Sequence, residues 1–400
     1  MHVLILGTRG VPSKHSGFET FAQDFGLFLR SRGHEVTVYC QVPQGEAARE
    51  DSWNGIRRVL LPAGEGSVGT MQFDWKAITH SLNEDGVVLT LGYNTGVFNL
   101  LYRLRGKPNI MNMDGIEWKR EKWSLPARTW FWLNEWAGAR VANHLVADHP
   151  EIARHLSRHT ASKKIAMIPY GADPVSSAPV SLIQKYNLSS KGYHLLIARP
   201  EPENFILEIV RGYSLRQRGF PLVILGNYKP DGTRYQRAVL SAAGPEIIFL
   251  GAIFDRDIVQ ALRFHARAYF HGHRVGGTNP SLVESLAAGN AVIAHDNRFT
   301  RWVAGEGARY FRTPEDIDAI LDSLNADRAQ LLDMEEASRK RFRESFTQDK
   351  ILTAYEELLL QFAPAPSVVP RAARAAIFSA VPDAQIVASA PQQGTPSKGA

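Results

Sequence analysis

One pattern of construction recurs along the chain. Short runs of purely apolar residues, each closed by glycine or a polar residue, alternate with stretches of helical spacing. The first run is "HVLIL", residues 2–6, followed by the loop "GTRGVPSKHSG". Residues 18–33 then place Phe18, Phe21, Ala22, Phe25, Phe28 and Leu29 at helical spacing, up to a stop at Gly33. A strand buried on both faces shows no polar alternation, and parallel neighbours are joined through a crossover, usually a helix. The alternation therefore predicts an α/β chain built on parallel sheets with helices on both faces. Further strands are expected at 34–40, 85–92, 107–113, 144–147 and 164–171.

The pattern stops at "GADPVSSAP", residues 171–179, and starts again at "YHLLIAR", residues 193–199. "FPLVILG", "EIIFLG", "ARAYFHG" and "NAVIAHD" continue it. Four hundred residues suit two domains of this kind. We expect two doubly wound Rossmann-like domains, 1–172 and 173–345, with a ligand cleft between the carboxyl ends of their strands. A helix within 346–363 should pack on the body. Residues 364–400, rich in Ala, Pro, Ser, Gln and Gly, are expected to be a disordered tail.

Net charge is +6 and the isoelectric point about 9.3, which favours an anionic partner. Dense runs of Lys or Arg are missing, so nucleic acid is disfavoured. Cys40 is the only cysteine, which excludes an internal disulfide and a cysteine-based zinc site. No apolar run is long enough to span a bilayer, and the start lacks a cleavage pattern. The expected location is cytoplasmic, with any membrane contact peripheral.

The densest chemistry lies in "HGHRVGGTNPSLVESLAAG", residues 271–289. A strand ends, and a helix is expected to begin near Pro280 or Ser281. Gly276 and Gly277 let the backbone approach a ligand, and amides at a helix start favour a phosphate. Thr278 and Ser281 add hydroxyls. In the competing reading "SLVE" is a capping box, with Ser281 and Glu284 bonding only the backbone. His271, His273 and His295 could be read as metal ligands, but no carboxylate or cysteine completes the set, so no metal is expected.

Three motifs together carry a family resemblance: "GTRGVPSKHSGFET", "MNMDGIEWKREKW" and "HGHRVGGTNPSLVES". On these the chain resembles retaining glycosyltransferases of family 4, which have the GT-B arrangement, and within them a bacterial subfamily that includes rhamnosyltransferases. The likeness covers roughly residues 1–360. It implies a nucleotide-sugar donor, held mainly by the second domain, and no further cofactor. Glu284 matches the glutamate that holds the ribose hydroxyls, and Arg199 the arginine that neutralises the diphosphate. Two positions depart from the wider family. Gly276 stands where many relatives have a glutamate on the transferred sugar, and Asn204 where many have a lysine. Arg274 and His273 are candidates to compensate. Asn279 and Pro280 complete the donor loop. From the first domain, Arg9, Lys14, Gly10 and Gly17 would close over the diphosphate.

The mechanism this implies is front-face transfer. The leaving phosphate takes the acceptor proton while Arg199, Glu284 and the glycine amides hold the donor. Asp114 ends a first-domain strand and is read either as a group acting on the acceptor hydroxyl or as a turn residue before Gly115. His15, Phe18, Glu19, Glu117, Trp118, Lys119 and Arg120 are the remaining acceptor-side candidates. The expected acceptor is a surface glycan or lipid-linked saccharide, and the donor dTDP-rhamnose or a UDP-hexose. Residues 117–136 hold five of the eight tryptophans among Lys and Arg, which suits an anionic membrane interface. Alternatively Trp130, Trp132 and Trp136 are helix core. The rival functions are a nucleotide-sugar 2-epimerase and a non-catalytic binding subunit.

Overall fold

The structure is a computed structural model that describes residues 1–13, 17–120 and 123–363. Lys14, His15 and the expected 364–400 tail lie outside the described residues. Residues 1–363 form one compact unit containing two sheets.

The first sheet holds β1 (His2–Leu6), β2 (Glu35–Pro43), β3 (Arg49–Trp53), β4 (Ile56–Ala63), β5 (Val87–Leu91), β6 (Asn109–Asn112), β7 (His144–Ala147) and β8 (Ile165–Met167). Their spatial order is β3-β4-β2-β1-β5-β6-β7-β8, and all neighbours are parallel except the β3–β4 hairpin. The second sheet holds β9 (His194–Ile197), β10 (Leu222–Leu225), β11 (Ile247–Gly251), β12 (Ala268–His271), β13 (Ala291–His295) and β14 (Arg309–Phe311). It is wholly parallel, in the order β11-β10-β9-β12-β13-β14.

Burial explains the apolar runs. Val3, Leu4 and Ile5 in β1 are fully buried, as are Val223 and Ile224 in β10. The helix Gly17–Ser31 buries Phe21, Ala22, Phe25 and Leu29, four of the periodic positions. The helix Gln348–Leu360 returns to the first sheet. Its Tyr355 ring lies 4.8 Å from Phe21 and its hydroxyl accepts from Asn112 Nδ2 at 2.7 Å. Glu356 pairs with Arg32 and His34, each at 2.7 Å.

The β3–β4 hairpin and β14 were not expected. "REDSW" in β3 is polar because it is an exposed antiparallel edge, so it carries no apolar run. β14 is only three residues long.

Strand order fixes where ligands can enter. The crossover direction reverses beside β1, which lies between β2 and β5, and beside β9, which lies between β10 and β12. At such a point the loops on either side diverge and leave a crevice at the carboxyl ends of the strands.

Candidate functional site

Each sheet has such a crevice. The first, about 1080 Å³, is lined by the loops after β1, β2 and β5, with Arg58, Glu65 and Asp74 among its charged groups. The second, about 730 Å³, lies between the sheets. It brings all three motifs together: Gly17 and Phe18, Asp114 to Glu117 with Lys119 and Arg120, and His273 to Pro280. Arg199 lines it too. Phe18 lines both crevices.

The second-half wall is built from the end of β12. His271 is buried, and its ring stacks on His273 with centroids 4.4 Å apart. The backbone then turns through Gly276 at φ +124°, a conformation that L side chains rarely adopt. Gly277 is required by a close approach: a Cβ there would lie 2.1 Å from the Asp148 carboxylate. The helix Pro280–Ala287 follows, with Asn279 as its N-cap. Ser281 is therefore not the cap, and the capping-box reading fails. Its Oγ instead meets the Tyr269 hydroxyl at 2.7 Å and Arg263 Nη2 at 3.2 Å, while the Glu284 carboxylate is ion-paired with Arg263.

The expected open row of amides at 276–281 is narrower than the sequence suggested. Thr278 N–H donates to Asp148 Oδ2 at 3.0 Å, and Ser281 N–H to Asn279 Oδ1 at 2.9 Å. Thr278 Oγ1 also donates to the Asp148 carbonyl. Pro280 has no N–H. Within 276–281, the Gly276, Gly277 and Asn279 amides make no intramolecular bond. The cations beside them are Arg199, with a 69% exposed side chain, and Arg274, stacked on Phe205 at 5.3 Å.

Several expected donor residues stand elsewhere. Arg9 and Gly10 line the first crevice, because the loop after β1 folds back there and Gly10 packs against Cys40. Asn204 is buried, its Nδ2 donating to the Arg199 carbonyl at 2.8 Å, so it shapes the arginine's loop and does not line the crevice. Glu284 is also outside that lining, with its side chain 44% exposed.

The first-half wall is the segment after β6. Asp114 has φ +50° and its N–H bonds Asn112 Oδ1 at 2.8 Å, so it is a turn residue whose side chain also lines the crevice. Gly115 meets the other wall: a Cβ on it would lie 3.7 Å from Gly276 Cα. The Tyr93 hydroxyl donates to Gly115 O at 3.1 Å and accepts from Glu117 N at 2.8 Å, which fixes the segment. Arg120 is not merely solvated. It bridges Glu117 at 2.8 Å and, across the crevice, Glu203 at 3.1 Å. Trp118 faces away, its indole N–H bonding Glu135 at 3.0 Å. Glu19 is buried and lines the first crevice. Trp132 and Trp136 are 44% and 43% exposed, so they are not core. The helix Leu125–Val141 instead buries Asn134, Glu135, Gly138 and Ala139.

Asp148, Tyr170, Asn297, Arg298 and Phe299 also line the crevice and escaped the sequence reading. Asp148 directly follows β7, so the strand-end rule that selected Asp114 applied to it equally. Burial, with Asp114 nearby, holds its carboxyl well above the usual range. His273 is pushed down to about 3 by burial and by Arg199 and Arg120, so its ring is neutral. Among the described residues, the convergent groups that could hold an ion are Glu135/His155/His159 and Glu50/His80/Glu84. Neither contains His271, His273 or His295. No helix among the described residues is long and apolar enough to cross a membrane.

Residues 1–173 match a family model described as "Domain of unknown function (DUF1972)". The chain is 29% identical over 165 residues to O-antigen chain mannosyltransferase B of Escherichia coli, over 38% of this chain and 42% of that protein. The match thus spans less than half of that relative's length. Among solved structures, sucrose-phosphate synthase of Thermosynechococcus elongatus aligns with a TM-score of 0.74 at 16% identity, over 90% of this chain and 98% of that one. Anabaena Alr3699/HepE in complex with UDP aligns at 0.70 and 13% identity, over 90% and 100%. An E. coli structure described as trehalose-6-phosphate bound with UDP-2-fluoro glucose aligns at 0.68 and 12% identity, over 93% and 100%. The architecture is thereby that of the GT-B fold.

Proposed function

We propose that this chain is a metal-independent, retaining glycosyltransferase of family 4. It would move a hexose or deoxyhexose from a nucleoside-diphosphate sugar to a surface-polysaccharide or lipid-linked glycan acceptor. One arrangement supports this reading above all: Arg199, Arg274 and the unbonded Gly276 and Gly277 amides share a crevice with Asp114 of the opposite wall. The two folds with bound UDP or a UDP sugar and the mannosyltransferase likeness point the same way.

On this reading the cations and amides stabilise the negative charge that grows on the departing phosphate. Donors already fixed in place need no reorganisation as the bond breaks. Asp114 orients the acceptor hydroxyl or takes its proton. Glu284, released from Arg263, would bind the ribose hydroxyls, two oxygens accepting from two donors. The acceptor would enter from the first crevice past Phe18. An acceptor on a lipid would be met by the helix Leu125–Val141, whose exposed Trp132, Leu133 and Trp136 suit the surface of an anionic bilayer.

The test is a thermal-shift panel followed by donor turnover. A ligand that binds only the native state raises the melting point. UDP, dTDP and their sugars, dTDP-rhamnose and UDP-hexoses first, should raise it, and slow release of nucleoside diphosphate should follow without added metal. Formation of an epimer would make the chain an epimerase. A panel with no shift at all removes the enzymatic reading.

A further inference from the structure

Native proteins pair nearly all buried polar atoms, so an unpaired one in a ligand crevice needs a reason. Two residues lining the second crevice carry such atoms: Asp148 Oδ1 from the first half and His273 Nδ1 from the second. The Asp148 side chain is otherwise fixed. Its Oδ2 accepts from Thr278 N–H, its carbonyl accepts from Thr278 Oγ1, and the whole residue is 3% exposed. The carboxyl lies flat on Gly277, in space that any larger residue would fill. Beside it Gly276 opens outward, and a Cβ there would meet nothing within 4 Å.

The two atoms therefore belong to groups that line the crevice together with the Arg199 and Arg274 cations, and the open space at Gly276 adjoins the Gly277 on which Asp148 packs. Neither suits a second phosphate. An ionised carboxylate repels an anion, and a neutral imidazole is a weaker partner for one than the arginines beside it. Together they offer acceptors and a donor, the complement of a ring bearing hydroxyl groups. Building on the transferase reading, we infer that Asp148 and His273, one from each half, bind the hydroxyls of the transferred sugar and set which sugar is accepted.

Burial, with Arg199 and Arg120 nearby, keeps the His273 ring neutral, so it can both donate and accept a hydrogen bond. Because the two groups come from opposite halves, sugar binding would draw the walls together where Gly115 and Gly276 already meet.

The experiment compares binding of UDP and dTDP with binding of their sugars, by calorimetry, in the wild type, Asp148→Asn and His273→Gln. The wild type should bind the preferred nucleotide sugar more tightly than its nucleoside diphosphate. Each variant should leave the diphosphate affinity within about 3-fold and reduce the gain from the sugar by about 10-fold or more. Melting points confirm folding, and Asp148→Asn keeps the shape needed to accept from Thr278. A gain from the sugar that survives both substitutions overturns the inference. Equal loss of diphosphate and sugar binding also overturns it, because Asp148 would then only hold the loop. If the wild type binds no nucleoside diphosphate, it is the transferase reading itself that fails.

Discussion

The two crevices occupy the same place in their sheets and are lined differently. Each opens where strand order reverses, beside β1 in one sheet and β9 in the other. The first crevice draws its charges from one half and mixes them, with Arg9, Arg58, Glu19, Glu65 and Asp74 on its walls. In the second, both halves contribute cations, with Lys119 and Arg120 from the first, but the carboxylates are confined to one wall. Among the described residues lining it, the second half contributes Arg199, Arg274 and Arg298 and no carboxylate. The carboxylates come from the first half, at Asp114, Glu117 and Asp148. Topology thus makes both places available, and only the second faces its carboxylates with three arginines from the other half. On the proposed reading, the arginine wall stabilises charge on the departing phosphate and the carboxylate wall orients hydroxyls.

The sharpest way to break this comparison is to remove a cation from each crevice. Arg199→Ala should weaken UDP or dTDP binding about 100-fold, about 3 kcal/mol, because a charge-assisted contact to the diphosphate is lost. Arg9→Ala should change it by less than about 3-fold. Titration calorimetry on the two variants decides it, and the reverse order would place the diphosphate in the first crevice.

A second comparison uses pH. In the second sheet, His194 is held down to about 3 and His271 well below its usual value, both chiefly by burial. In the unfolded chain such histidines protonate near 6.5. The stability that rests on them is therefore complete above about 6.5 and is lost as pH falls toward about 3. Asp74 in the first crevice runs the other way: burial raises it to about 6, so its contribution is complete below about 4 and is lost as pH rises through about 6. From pH 7.5 to 5.0 His194 should cost about 2 kcal/mol of stability, and His271 should add to the loss in the same direction. Hydrogen exchange, corrected for intrinsic rates, should show β9 and β12 losing protection over that range while the helix Gly66–Ser81 does not.

The smallest effect concerns the outer face of the first half. Arg140 lies 3.8 Å above the Trp136 ring, so that aromatic is held at the surface beside a cation. Trp132→Ser with Trp136→Ser should lower binding to vesicles containing anionic lipid by about 5-fold, with the melting point unchanged. Co-sedimentation measures it, and background binding by the wild type would leave the first half without a membrane-facing role.

Much of this was legible in the residues. Apolar runs with no polar alternation identified eleven of the strands, because a strand covered on both faces has no polar side to display. β3 was not legible for the opposite reason, being an edge with nothing to bury. The three motifs did meet in one crevice. What failed was assignment within motifs. A loop such as "GTRGVPSKHSG" can point its first residues into one crevice and its last into another, and nothing local distinguishes the two. Trp132 and Trp136 follow helical spacing, yet the helix buries its small and polar face.

By itself, then, the sequence determined the kind of sheet and the loops rich in glycine, since period, apolar content and backbone freedom are properties of neighbours along the chain. The tertiary structure alone decided that Thr278 is held by Asp148, that Glu284 rests on Arg263 and that Arg120 reaches Glu203. These contacts join residues up to 130 positions apart. Which groups remain unpaired, and so available to a ligand, depends on the packing of one half against the other, and no local pattern carries that information.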